Sequence, residues 1–190
     1  MAPILGDPQR IRYRSRETLR VTLHEWTVAS ALIERGGRLL LVRNARHGGH
    51  HDWSTPGGVV DPDDISVLDG LAREVAEETG LVVTQWAGPV YEVIAHAPDM
   101  GWRMRCEVHL AVAADGEVVI DDPDGIVVEG AFFAAEESIA LLADGPAWVR
   151  DPIVEWLSAR WAPSPEPADL RRFEFTVHGT SRSSWRVERR

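Results

Sequence analysis

Lysine is absent from this chain of 190 residues, cysteine occurs once, and long apolar runs are missing. The lone Cys106 excludes an internal disulfide framework. A membrane-spanning helix needs roughly 20 consecutive apolar residues, and no run reaches that length. Met1–Arg20 lack the apolar stretch of a secretory signal, so a cytoplasmic protein without a membrane partner is the simplest expectation. All 20 basic residues are arginine, which we attribute to genomic base composition rather than to mechanism. Positive charge is scarce in the middle of the chain. The net charge is −10; Met1–Arg20 hold five Arg against two acids, +3, and Pro163–Arg190 hold six against four, +2. The middle is left with −15. That balance argues against binding duplex nucleic acid, which requires phosphate neutralisation by cations. It suits a polyanionic substrate only where metal ions intervene, and most of these acids read as solvated surface.

What is present is ordinary for a soluble globular protein: 44% hydrophobic and 26% charged residues, enough chain for one domain with a sizeable core. His24–Glu34 and Arg38–Arg46 read as strands joined in a hairpin by Arg35-Gly36-Gly37. A polar loop, Asn44–Asp52, leads to Trp53-Ser54-Thr55-Pro56-Gly57-Gly58, a turn of unusual backbone freedom. Ser66–Gly80 is the clearest helix, with Ser66 as cap, Asp69 as its box partner and Gly80 as terminator. Its Leu68, Leu71, Ala72 and Val75 share an apolar arc. Leu81–Thr84, Val90–Ala95, Arg103–Ala113 and Ile126–Phe133 read as strands, and Glu136–Leu142 and Trp148–Trp161 as helices. A proline-rich linker, Ala162–Pro167, precedes two further short strands, Arg171–His178 and Ser184–Val187. The division is an N-terminal extension over 1–22, a main domain over 23–161, and a linker with C-terminal strands over 162–190. The extensions are expected to pair in one added sheet, with room for a homodimer. Without a regular βαβ rhythm, an α+β or α/β sandwich is favoured over a Rossmann sheet.

On the helix, Glu74, Glu77 and Glu78 fall within about 100° of arc, away from the apolar side. Arg73 precedes Glu77 by one turn and can pair with it. Three carboxylates so close repel one another unless a cation lies among them, and oxygen-rich clusters suit Mg²⁺ or Mn²⁺. A solvated glutamate face is the bland alternative. The Pro-Gly-Gly turn, the arginine and the terminal glycine, all in place, weigh against it.

The run Arg73-Glu74-Val75-Ala76-Glu77-Glu78-Thr79-Gly80-Leu81 resembles the second half of the Nudix box, Gx5Ex7REUxEExGU, at every defined position, and Gly58 matches its opening glycine. Arg73 lies 15 residues after Gly58 where the box has 14. The extra residue falls in the loop Asp61–Ile65, and the mid-box glutamate position is taken by Asp64, whose role is left open. The resemblance covers roughly His24 to Trp161. It implies an α/β/α sandwich with a mixed sheet between helices. It also implies Mg²⁺- or Mn²⁺-dependent cleavage of a phosphoanhydride bond in a nucleoside diphosphate linked to another group, an ADP-sugar or a nucleoside triphosphate. By position, Glu74, Glu77, Glu78 and the Gly58 carbonyl would face metal, and Arg73 would orient the cluster. Glu77 or Glu74 would accept a proton from water; a later loop offers Glu129 or Asp124 instead. Arg43 stands where similar proteins present an arginine to phosphate, with a strand-end surface arginine as the equal alternative.

Trp53 and Trp102 are candidates to stack on a base, against a reading of both as packing residues. Trp148, Trp156 and Trp161 read as core. His47, His50 and His51 crowd a loop without companion cysteines, which favours a loop closing over phosphates above a metal site. Two other classes compete: an isoprenoid diphosphate isomerase, which needs a cysteine the front of the site lacks, and a catalytically weak nucleotide-sensing domain.

Overall fold

The computed structural model describes residues 23–46, 48–163 and 169–190. The N-terminal run Ile11–Val21 and the loop residue His47 lie outside the described residues. Strand β1 (His24–Arg35) turns through Gly36-Gly37 into β2 (Arg38–Arg46). Both glycines have positive φ, 60° and 74°, the geometry a tight two-residue hairpin requires. β3 (His50–Ser54) folds back on β2, and β4 (Gly57–Val59) lies antiparallel to β1. Helix α1 (Val67–Thr79) follows, then β5 (Val82–Ala97), β6 (Trp102–Asp115), β7 (Val127–Phe133), α2 (Ala135–Leu142), α3 (Ala147–Ala159), β8 (Arg171–His178) and β9 (Arg186–Arg189).

The strands form one mixed sheet in the order β3-β2-β1-β6-β5-β8-β9, with β4 on β1 and β7 on β2. β1 runs parallel to β6, and β5 parallel to β8; the other pairings are antiparallel. Each face carries its own core. On one side Leu71 and Val75 of α1 meet Ala29, Ala31, Ile33 and Leu40. On the other, α2 and α3 bring Leu142, Ile153, Trp156 and Leu157 onto Leu32, Leu41, Tyr91 and Val93. This is the α/β/α sandwich with a mixed sheet that the resemblance implied. No helix among the described residues is long and apolar enough to cross a membrane.

Three local expectations change. Asn44–Asp52 is not simply a loop: Asn44 pairs with Asp52 and Ala45 with His51 as β2 runs into β3, which puts His50 and His51 on a strand. Polar residues serve there because Asn44 Nδ2 donates to Ser54 Oγ at 3.0 Å. The two strands expected over Leu81–Ala95 are one, whose pairing with β6 slips around Gly88-Pro89, since proline has no N–H for the ladder. The C-terminal strands do not form an added sheet. β8 continues the main one, with Val93 opposite Phe173 and Ala95 opposite Phe175, and both phenylalanines are buried in the α3-side core.

Candidate active site

The turn before α1 and the carboxylates on it are built against each other. Ser66 caps the helix: its Oγ accepts from Asp69 N–H and donates to the Asp69 carboxylate. Gly80 ends it with φ 71°. β4 presses so closely on β1 that a side chain at Gly57 (φ 139°) would lie 2.2 Å from the Ala29 carbonyl oxygen, so glycine alone fits. The freed Gly57 N–H donates to Glu78 Oε2 at 2.8 Å. Gly58 lies beneath Glu74, where a Cβ would sit 2.5 Å from its carboxylate. Gly58→Ala is therefore expected to displace that carboxylate with little change in fold. A displacement of about an ångström costs on the order of a hundredfold in turnover. Steady-state kinetics beside a melting curve checks this; a loss of stability matching the loss of activity would contradict it.

Arg73 gathers the acids. Its Nη1 lies 2.8 Å from Glu74 Oε1 and 3.3 Å from Glu77 Oε2, and its Nη2 lies 3.1 Å from Asp64 Oδ2 and 3.4 Å from Asp61 Oδ2. Asp64 foremost, and Glu74 after it, hold the guanidinium well above its usual range against the effect of burial, and Arg73 in turn lowers Asp64. The role left open for Asp64 is thereby filled. It fastens Arg73, accepts the Asp61 N–H at 2.8 Å, and occupies space that a side chain at Gly70 would take.

Burial pushes the Glu78 carboxyl up to about 8; the Gly57 N–H opposes this, Glu74 and Asp122 add to it, and Arg46 counters it. Burial also raises Glu74, against its bond to Arg73. Glu77 is the open member, with a side chain 43% exposed. As they stand, no three His, Cys, Asp or Glu side chains among the described residues are gathered to grip one ion. Glu74 and Glu77 lean on Arg73 and Glu78 on Gly57. The donor set nonetheless fits a hard cation. It consists of carboxylate oxygens beside a backbone turn, one of them buried and driven toward protonation for want of positive charge.

A stability consequence follows. Since Glu78 is raised from an ordinary 4.5 to about 8, the cation-free folded protein keeps a proton that the unfolded chain releases above pH 4.5. The stabilisation is complete below that value and is lost as pH rises through 8. Melting temperature without divalent ions should fall between pH 5 and 8, and saturating Mg²⁺ should flatten the trend by replacing the proton. A melting temperature that rises over this window in chelator would contradict the assignment.

Beside this cluster a cleft of about 160 Å³ opens between β1 and β3. Arg46, Ser54, Thr55 and Gly57 line its polar end, and Met104, Trp148, Val149 and Ile153 its apolar end. A mostly apolar lining with a few polar groups at one end suits a small organic ligand. The sequence-predicted recognition residues are arranged otherwise. Arg43 does not line the cleft; its Nε sits 2.8 Å from Glu129 Oε2, a charge contact not aligned as a hydrogen bond. Glu129 is thus engaged on β7 rather than free as a base. Trp53 does not line it either: its indole meets Phe133 edge-on, centroids 5.3 Å apart, against the core. Trp102 opens β6 instead of lying in a loop, and Trp148, read as core, packs against the core and also forms a wall of the cleft. Arg46, 3.0 Å from Asp52, is the missed cation. Asp122, close enough to act on Glu78, is the missed acid; it takes the N–H groups of Asp124, Ile126 and Val127. Its only sequence signal is the Asp-Pro-Asp-Gly turn.

The family model described as NUDIX domain matches residues 23–157. The chain belongs to the Nudix hydrolase family. A MutT-like protein of Streptomyces ambofaciens is 44% identical over 61 residues, 32% of this Nudix chain and 37% of that relative, so the match spans well under half of the relative's length. A MutT Nudix hydrolase from Burkholderia pseudomallei superposes with a TM-score of 0.53 at 28% identity, covering 60% of this chain and 85% of that one. The ORF135 protein of E. coli gives 0.59 at 22% identity, covering 77% and 96%, a likeness of fold.

Proposed function

We propose that this Nudix hydrolase is a pyrophosphohydrolase that uses Mg²⁺ or Mn²⁺ to cleave a phosphoanhydride bond in a nucleoside diphosphate linked to another group. The observation that carries the reading is the meeting of two features: a carboxylate cluster pinned to Gly57-Gly58, and a cleft whose polar end is Gly57 itself. Glu74, Glu77, Glu78 and the Gly58 carbonyl would hold the cation; when bound, it neutralises phosphate oxygens and acidifies a water ligand. Arg73 positions Glu74 and Glu77. Arg46 balances a phosphate at the cleft mouth, and the apolar end takes the nucleoside. Glu77, the exposed carboxylate, accepts the proton of the attacking water. The water oxygen bonds to phosphorus, the anhydride P–O bond breaks, and the departing phosphate leaves with the electron pair. The intact glutamates favour this over nucleotide sensing without turnover. Phosphate release across nucleoside triphosphates, diphosphate sugars and dinucleotides, with Mg²⁺ or Mn²⁺, tests it. Turnover of at least one class is expected; tight binding with none would return the sensing reading.

A further inference from the structure

The cleft is tight for the nucleoside assigned to it. Its volume is about 160 Å³, polar end included, whereas sites that enclose a drug-sized ligand measure roughly 300–1,000 Å³. An apolar cavity of about 150 Å³ in a protein interior takes one benzene ring. The space beside Gly57 therefore matches a single six-membered ring, with the sugar left at the polar end.

Its walls are braced on every side. The floor is sheet: Val93 of β5 and Cys106 and Val108 of β6 line the cleft and are buried in the core. Tyr91, also in the lining, is held edge-on by Phe173 at 5.4 Å and by Trp161 at 6.4 Å between centroids. The other wall is α3, with Trp148, Val149 and the buried Ile153. Trp148 is the bulkiest of these and belongs to an aromatic row that buttresses it. It meets Trp102 edge-on, centroids 6.2 Å apart at 69°, and Trp185 at 5.5 Å. Trp102 extends the row to Trp26 of β1, 6.0 Å away. Interiors packed at the density of organic crystals have low compressibility, so the cleft does not widen by a ring.

We propose that the cleft is a size gate that admits a pyrimidine base and excludes a purine, which makes pyrimidine nucleoside diphosphate derivatives the substrates. This rests on the hydrolase reading of the cleft. A purine adds a second, fused ring. That ring has no way out at the mouth, because the anhydride lies by Gly57 and Glu74 and the sugar then occupies the polar end. Forcing excess volume between packed walls costs roughly tenfold to a hundredfold in affinity. An apolar lining distinguishes polar substituents weakly, so the gate reads ring size rather than the edge of the base.

The test compares substrates that differ in the base: UTP and CTP against ATP and GTP, and UDP-glucose against ADP-glucose. kcat/KM is measured on the full chain, and binding with Mg²⁺ in a Glu77→Gln background. The pyrimidine member of each set is expected to lead by about tenfold or more, through KM. Trp148→Ala removes one wall and should raise purine turnover until the sets differ by less than about threefold. Met104→Ala, at the apolar end of the same cleft, should act in the same direction and serves if Trp148→Ala fails to fold. A gain on purines is a result that loosened packing alone does not produce. Purines hydrolysed as well as pyrimidines by the wild type would overturn the gate and leave the hydrolase reading intact. A preference retained by the folded variants would overturn it too, placing selection outside the cleft. If no compound turns over, tighter pyrimidine binding would support the gate and overturn the hydrolase reading, whereas equal or absent binding would overturn both.

Discussion

Glu77→Gln is expected to lower turnover by about a thousandfold, within the range for losing a positioned base, and to leave the melting temperature unchanged. The separation arises because Glu77 is the one box carboxylate with little structural work. Glu78 is buried and bonded to Gly57, and Glu74 rests on Gly58 and on Arg73. Glu77 projects into solvent and bonds to Arg73 at 3.3 Å, an i, i+4 contact worth a few tenths of a kcal/mol at most. Gln keeps its shape and removes its charge. Arg73→Ala is the informative contrast, since it frees four carboxylates at once and should lower stability and activity together. Rate and melting curves on the same preparations check both variants. A Glu77→Gln enzyme with near-normal turnover would move the base elsewhere.

Phe175→Ala, far from the carboxylates, is expected to cost about 3–5 kcal/mol, against a total stability of about 5–15. For a chain of this length that lowers the melting temperature by roughly 6–20 °C. Phe175 is 2% exposed and shares its cluster with Tyr91, Ile153 and Trp156. β8 therefore supplies core rather than decoration. Removing residues 163–190 would strip Phe173 and Phe175 from Tyr91 and Val93, and should give insoluble protein. Calorimetry on the point variant decides it: a shift below two degrees would mean that β8 does not hold the sheet.

The parts of the molecule legible in sequence are those fixed by local chemistry. Gly36-Gly37 dictates its hairpin, Ser66 and Gly80 delimit α1, and helical spacing alone puts Glu74, Glu77 and Glu78 together. Where a strand's faces decide, sequence was a weaker guide. The pairing of β2 with β7 slips between Arg43 and Asn44, and a bulge re-aims the side chains beyond it; Arg46 reaches the cleft while Arg43 turns to Glu129. Non-local docking was harder still. Nothing near Arg171 announces that β8 will lie beside β5, and the aromatic row joins residues from β1, β6, α3 and the C-terminal segment. Asp64 was ambiguous for a related reason: an added residue in its loop leaves a carboxylate in place, and only the neighbouring Arg73 and the bare Gly70 reveal what it holds.

The most direct test of the central claim, that carboxylate-held cations direct water onto phosphorus, is hydrolysis in ¹⁸O-labelled water with mass spectrometry of the products. One labelled oxygen per turnover is expected, found in a phosphate of a product, with no turnover in chelator and about a thousandfold less in Glu77→Gln. Label in a non-phosphate group, or turnover that persists without divalent ions, would contradict it.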